Sequence, residues 1–421
     1  MAYAPIFAGL MLLWPVLAFL GGQGFSPLIG LCAIAGLAFV RPPMPVRAYA
    51  LAGLGFVGWA AISTLWSPAG GAILTGSLTD SDFGVTAASF RLVLMALAIT
   101  LVFMAMSQAA PGSVPRARKM LFVAFGLAGL MLLVSAVFLR QLLDLAYETP
   151  QEAITSGMQN ALRQANAFAI ILPIALAAIW ANAKAWPARL AAIGLAIASG
   201  LVFAYFGSAA ALMAMVFATL AMAAVKWLPE NGFRAIAGIW AASLAAAPVV
   251  FANMAQILTA TGLPAPFSFR SRAFAWQSVG ERIREKPLTG HGLEAAGTWD
   301  ATYASRPDWL AEIVALGGVE SAWSRYLIIP SHPHNMPLEI WAETGLVGAG
   351  LAIAAIVFLG LRLPAPKRLA AEARFAAAGV MGAALSLFCF SYSAWNEAGW
   401  AIVALAGASA LMLARQATKA S

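Results

Sequence analysis

Residues 119–139 read KMLFVAFGLAGLMLLVSAVFL, with a charge at the first position and none after it. Wound as a helix at about 1.5 Å per residue, such a run crosses a hydrocarbon core of about 30 Å. It must be helical there, because lipid offers no partners to backbone N–H and C=O groups. Similar runs recur near 4–21, 24–40, 48–66, 88–107, 165–182, 189–207, 209–227, 234–252, 337–361, 372–391 and 395–414. Of the 421 residues, 62% are hydrophobic and 10% charged, against about 25% charged in a soluble domain. The expectation is an all-α polytopic membrane protein of about twelve helices, one membrane domain over residues 1–421. The first run has no basic residues before it and lacks a cleavage-site pattern, so it reads as a retained span.

Charge sets the orientation. With the N-terminus in the cytoplasm, the inner loops hold Arg41, Arg47, Arg116, Arg118, Lys119, Lys184, Arg189, Lys226, Arg234, Arg362, Lys367, Arg368, Arg374, Arg415 and Lys419. That is 15 of 25 basic residues, and of 17 acidic residues only Glu230 and Glu372 join them. The net charge of +8 is thus spread over short loops, which argues for topology and against a nucleic-acid partner. Cys32 and Cys389 lie inside apolar runs and read as packing residues, with no disulfide framework or zinc site.

This orientation leaves 253–336 as a large periplasmic loop between the ninth and tenth spans. Structureless connections of such length are uncommon unless functional, and all three histidines, His291, His332 and His334, lie in it. Residues 273–284 have helical spacing, with Phe274, Val279 and Ile283 on one stripe, and a second short helix is expected within 309–326. The loops 67–87 and 140–164 are the two smaller outer connections.

Ser331-His332-Pro333-His334-Asn335 stands where the large loop re-enters the membrane, ahead of Leu338, Gly345 and Gly348. A histidine at that boundary can act as a general base near pH 7. Asn335 can orient it, or simply cap the next helix. The glycines read as sites of close helix packing. His332 and His334 could share a metal, but no further ligands follow at a recognisable spacing. Phe269-Arg270-Ser271-Arg272 opens a loop helix, and its two arginines suit a diphosphate; a headgroup-facing pair is the plainer reading. Gly290-His291-Gly292 is a tight turn. Arg163 and Asn166 stand at the outer mouth of the sixth span, where an arginine either serves a site or snorkels to the interface. Arg91 and Arg140 share these two readings, the second being favoured. Asp80-Ser81-Asp82 is a DxD triplet of the kind that can hold a metal, although three-residue matches are common by chance.

Together these features resemble the O-antigen ligase and polymerase superfamily, whose members carry many spans and one large periplasmic loop ending in a His-Asn motif. The match is carried by His334-Asn335, Leu338, Gly345 and Gly348, and by Arg272 ahead of Trp276, Pro287 and the Gly290/Gly292 turn. The motifs cover about residues 270–350, and the architecture resembles the ligase branch best. Two departures stand out. Arg163 lies nearer Asn166 than the family's second arginine lies to its asparagine. Ser208-Ala209-Ala210 replaces the Ser-Arg that many relatives carry after the seventh span.

The resemblance implies a GT-C-like glycosyltransferase of a bacterial inner membrane with its site facing the periplasm. The donor would be a glycan on undecaprenyl diphosphate, and the acceptor a sugar hydroxyl of lipid A-core. His334 would be the base and Arg272 the main cation on the diphosphate, as catalytic residues. Arg270, Arg163, Asn335 and Asn166 would bind substrate. The transfer would invert the anomeric centre and need no metal or other cofactor. A polymerase on the same carrier, a protein O-glycan transferase and, in a different class, a twelve-span transporter are the alternatives.

Overall fold

The computed structural model describes residues 2–41, 47–70, 74–75, 84–85, 87–146, 149, 156–182, 186–263 and 265–416. The chain is a bundle of helices. Ten are long and apolar enough to cross a membrane: α3 (Ala48–Trp66), α4 (Ala88–Ser107), α5 (Pro111–Val137), α6 (Met158–Asn182), α7 (Trp186–Tyr205), α8 (Ala209–Trp227), α9 (Gly232–Val250), α14 (Met336–Arg362), α15 (Ala371–Phe390) and α16 (Glu397–Gln416). Two shorter apolar helices precede them, α1 (Tyr3–Phe19), interrupted by a tighter turn at Met11–Leu13, and α2 (Phe25–Leu37). Among the shorter connecting helices are α10 (Met254–Thr261), α11 (Phe267–Glu285), α12 (Pro307–Ala315) and α13 (Glu320–Trp323). Among the described residues the only strand pairing is a two-residue ladder, Leu74–Thr75 with Gly84–Val85. The protein is therefore a multi-pass membrane protein with ten candidate spans.

Small residues decide which helices lie at the centre. The apolar windows of α6 and α15 are 72% buried, whereas those of α3 and α7 are 17% buried. Along α15, Ala373, Ala376, Gly379, Gly382 and Ala383 are all buried, and small side chains let backbones approach closely. A Cβ on Gly379 would strike the ring of Pro173 in α6, and one on Gly382 would strike the Phe217 carbonyl in α8. The outer helices turn large side chains away from the protein, such as Leu54, Leu201 and Leu220, each more than half exposed. That is the pattern of a lipid-facing ring.

The helix ends fall into two groups. At one end Arg118 pairs with Glu372, Arg415 reaches the Ala109 carbonyl, and Lys367 pairs with Glu230. At the other, Arg91 at the start of α4 pairs with Glu294 and with Glu397. The 253–336 connection sits at this second end as a folded cap with its own apolar core. Trp276, Val279, Tyr303, Ile313 and Ile328 are buried there, and Trp309 stacks on Phe274 with centroids 5.0 Å apart. The expected stripe of Phe274, Val279 and Ile283 is the buried face of α11.

α14 is not continuous. It breaks at Gly345, where φ is 64° and ψ is −166°, and residues 287–292 lie in the break. His291 and Gly292 donate their N–H groups to the Ala342 and Glu343 carbonyls, both at 2.8 Å. Leu346 donates to the Pro287 carbonyl at 2.8 Å, and the Trp59 indole donates to the Thr344 carbonyl at 2.8 Å. Broken helix at this depth is tolerated because the surrounding protein satisfies its polar groups. Glycine is required at Gly345 on two counts: positive φ suits it, and a Cβ would overlap the Leu288 carbonyl.

Candidate functional site

The last carbonyls of a helix have no partner within it and carry the negative end of its dipole. At the end of α15 three successive carbonyls are capped by side chains from far away in the chain. Asn335 Nδ2 donates to the Cys389 carbonyl at 2.9 Å. Arg272 Nη1 donates to the Phe390 carbonyl at 2.9 Å. His334 Nδ1 lies 2.9 Å from the Ser391 carbonyl. The cation of α11 and the His-Asn motif of α14 thus meet on one helix end.

Hydrogen bonding fixes the histidine tautomers. A carbonyl only accepts, so His334 carries its proton on Nδ1 and keeps its lone pair on Nε2. The His334 backbone N–H donates to His332 Nδ1 at 3.1 Å, so His332 carries its proton on Nε2. The two rings lie 4.2 Å apart. His334 holds φ of 53°, a conformation rare for a residue with a Cβ. The Trp276 indole pins the segment by donating to the Pro333 carbonyl at 2.8 Å. Burial, followed by the nearby Arg272 charge, pushes His334 down to about 4, against an opposing pull from the Ser391 carbonyl. Burial, the His334 ring and Arg272 push His332 down to about 3. Both imidazoles are neutral at pH 7. Arg272 is itself lowered by burial, yet an arginine remains charged there.

The other residues expected in the site divide into two groups. Asn166 joins it, because its Nδ2 reaches Ser391 Oγ at 3.5 Å and its Oδ1 accepts from Ser208 Oγ at 3.2 Å. Ser208 also caps α8 by accepting from the Ala211 N–H. Arg163, one turn before Asn166, is exposed, and its charge is felt by Tyr392 beside Ser391. Among the described residues no carboxylate pairs with Arg163; Asn160 Oδ1 accepts from it at 3.4 Å. Arg270 is placed elsewhere: it pairs with Glu312 of α12 at 3.1 Å and donates to Thr259 of α10 at 3.3 Å. Two residues apart on a helix, Arg270 and Arg272 point to different sides.

The expectation for Asn335 as a substrate contact is corrected. It is wholly buried, its Nδ2 is used on Cys389, and its Oδ1 accepts from the Leu338 N–H at 2.9 Å. It caps α14 and ties it to α15. Asp80 and Asp82 lie outside the described residues, among which no three His, Cys, Asp or Glu side chains converge as a metal site requires.

The structure adds groups that sequence reading did not assign. Glu339 and Glu343 lie one turn apart on α14 and are buried. Glu339 accepts from Ser393 Oγ at 2.9 Å and the Ala394 N–H at 2.7 Å. Glu343 accepts from the Glu294 and Ala296 N–H groups and the Trp395 indole, fastening the cap to the bundle. A cavity of about 450 Å³ opens beside them, lined also by His332, Arg91 and Glu397. Two acids within an apolar span were the available signal, since intramembrane ionisable groups mark sites by default.

No protein-family model, curated protein or solved structure matches this chain.

Proposed function

We propose that the protein is a glycosyltransferase of a bacterial inner membrane, with twelve spans, cytoplasmic termini and the 253–336 cap in the periplasm. It moves a glycan from undecaprenyl diphosphate to a sugar hydroxyl of lipid A-core. The observation that carries this reading is the meeting of Arg272, His334 and Asn166 at the end of α15, beside a cavity.

The chemistry follows from the groups present. The acceptor hydroxyl gives its proton to Nε2 of neutral His334, and its oxygen bonds to the anomeric carbon of the donor. The bond from that carbon to the diphosphate oxygen breaks, and its electron pair leaves with the diphosphate. Negative charge grows on the leaving group, and a fixed guanidinium aimed at it lowers the barrier. Arg272 fills that role, with Arg163 in support. Displacement from the opposite face inverts the anomeric centre. In the free protein His334 is a weak base. A bound diphosphate offsets the Arg272 charge and raises its basicity toward the useful range.

This has a sign that pH profiles can read. His334 is held below the ordinary histidine value, so its neutral form survives in more acidic solution. The acid limb of kcat/KM, which reports the free enzyme, is expected near pH 4, and that of kcat higher. A kcat/KM limb near 6.5, the value of an open imidazole, would contradict the assignment.

Orientation is tested at Ser321, which is exposed in the cap, in a protein whose two cysteines are buried. Ser321→Cys should react with an impermeant thiol reagent in intact spheroplasts; reaction only after lysis would reverse the topology. The acceptor class is tested by deleting the gene in a cell that makes O-antigen. Polymerised glycan stranded on its lipid carrier supports the ligase reading. Stranded single repeats would make the protein a polymerase, and an unchanged pattern would remove glycan transfer altogether.

A further inference from the structure

The 450 Å³ cavity lies within the roughly 300–1,000 Å³ of small-molecule sites. One wall belongs to the cap and carries Thr298, Ser331 and His332; the other belongs to the bundle and carries Glu339, Ser393 and Asn396. Hydroxyl, amide and carboxyl groups on facing walls are the set that hydrogen-bonds a sugar, and Trp395 adds an apolar surface at the side. The wall is built in advance of any ligand. Glu339 and Glu343 are held by five hydrogen bonds from Ser393, Trp395 and three backbone N–H groups.

Its charge is one-sided. Among the described residues Arg91 is the one cation on the wall, and it is shared between Glu294 at 2.6 Å and Glu397 at 3.0 Å. Among the described residues the rim therefore holds two carboxyl groups, Glu294 and Glu397, to one cation. Arg272, which suits a diphosphate, is absent from the lining. His332 belongs to both settings: it lines the cavity, which His334 does not, and its ring lies 4.2 Å from that of His334 and feels the Arg272 charge. An acceptor hydroxyl held in the cavity therefore reaches Nε2 of His334 past His332.

We propose that this cavity is the acceptor subsite, and that it admits an uncharged or amine-bearing sugar and rejects one carrying a carboxylate or phosphate. The proposal rests on the glycan-transfer reading above and narrows its acceptor. An anionic sugar would meet like charge across a partly desolvated wall, whereas the donor diphosphate is drawn to Arg272. The two substrates are thereby sorted to opposite sides of the histidine pair.

The test uses three disaccharide methyl glycosides that differ only in the terminal residue: glucose, glucosamine or glucuronate. Binding to the purified full-length protein is measured by titration calorimetry, and transfer to each is measured in parallel. Glucose- and glucosamine-ended probes are expected to bind about tenfold more tightly than the glucuronate-ended one, the factor that one like-charge repulsion supplies. Glu397→Gln should narrow that ratio, and Asn396→Asp, which keeps the oxygen that accepts from the Gly399 N–H, should widen it. Equal binding of the three probes, no binding of any, or a ratio that neither variant moves would overturn the proposal. Its failure is distinguishable from failure of the enzyme reading. Charge-selective binding without transfer keeps the subsite and removes the transferase, and transfer without charge preference does the reverse.

Discussion

Exchanging His334 for asparagine is expected to lower glycan transfer by about 10²–10⁴, the range a positioned general base contributes, while the protein still inserts and still binds donor lipid. The choice of residue matters. His334 sits at φ of 53°, where an alanine adds about 1–2 kcal/mol of strain but asparagine is tolerated. The asparagine amide can also donate to the Ser391 carbonyl as Nδ1 does now. It keeps the cap and lacks the lone pair of an imidazole, so fold and chemistry are separated. Transfer by the purified variant, with donor binding measured alongside, decides the matter. Activity equal to wild type would leave His334 as a helix cap only. His332→Ala should cost less, because His332 bears on the base through a hydrogen bond to its backbone N–H.

Arg272→Ala should lose both donor affinity and rate, since the diphosphate is charged before and during the reaction. A charged hydrogen bond contributes about 1.5–3 kcal/mol, or roughly 10–100-fold in affinity. The loss of a donor aimed at developing charge adds about 10²–10³ in kcat. Arg272→Lys should recover part of this and not all, because a point charge lacks the planar fork. A purely structural role is separable. Arg272 also caps the Phe390 carbonyl, so some loss of thermal stability is expected either way. Only a diphosphate ligand, however, predicts lower donor affinity, and only its field on His334 predicts an acid limb of kcat/KM displaced upward. A variant with lower Tm but unchanged donor affinity and pH profile would make Arg272 a cap alone.

The helices were legible because lipid imposes length. Ten runs of apolar sequence correspond to ten long helices within a few residues at most ends. Two starts differ by more: α5 begins at Pro111, eight residues before the expected 119, and α6 at Met158, seven before the expected 165. Residues 158–164 read as loop because Gln159, Asn160, Arg163 and Gln164 are polar, yet α6 begins at Met158, and Gln164 and Asn166 are buried within the bundle. For Asn166 the bundle supplies the partners, Ser208 and Ser391, and one sequence does not show them. The first two runs gave helices shorter than expected, the first interrupted at Met11–Leu13.

The candidate site was half legible. His334, Arg272 and Asn166 were singled out by residue type and place, and the structure brings them together. What holds them is the run of carbonyls at 389–391, and backbone acceptors carry no signal in side-chain sequence. Gly345 was read as a packing glycine. It is a break in α14 filled by residues 287–292, more than fifty positions upstream, a pairing that local patterning cannot express. Arg270 could have been set aside from sequence, because residues two apart on α11 cannot face the same ligand. Arg91 was taken as an interfacial arginine; its two carboxylate partners come from the cap and from α16.

The most direct measurement is transfer by the purified protein in a lipid nanodisc, supplied with undecaprenyl-diphosphate-linked glycan and a lipid A-core acceptor, and followed by the mass and anomeric configuration of the product. Glycan joined to the acceptor with inverted configuration, formed by wild type and absent with His334→Asn and Arg272→Ala, is the expected result. No transfer by wild type while donor remains bound, or product formed equally well by both variants, would contradict it.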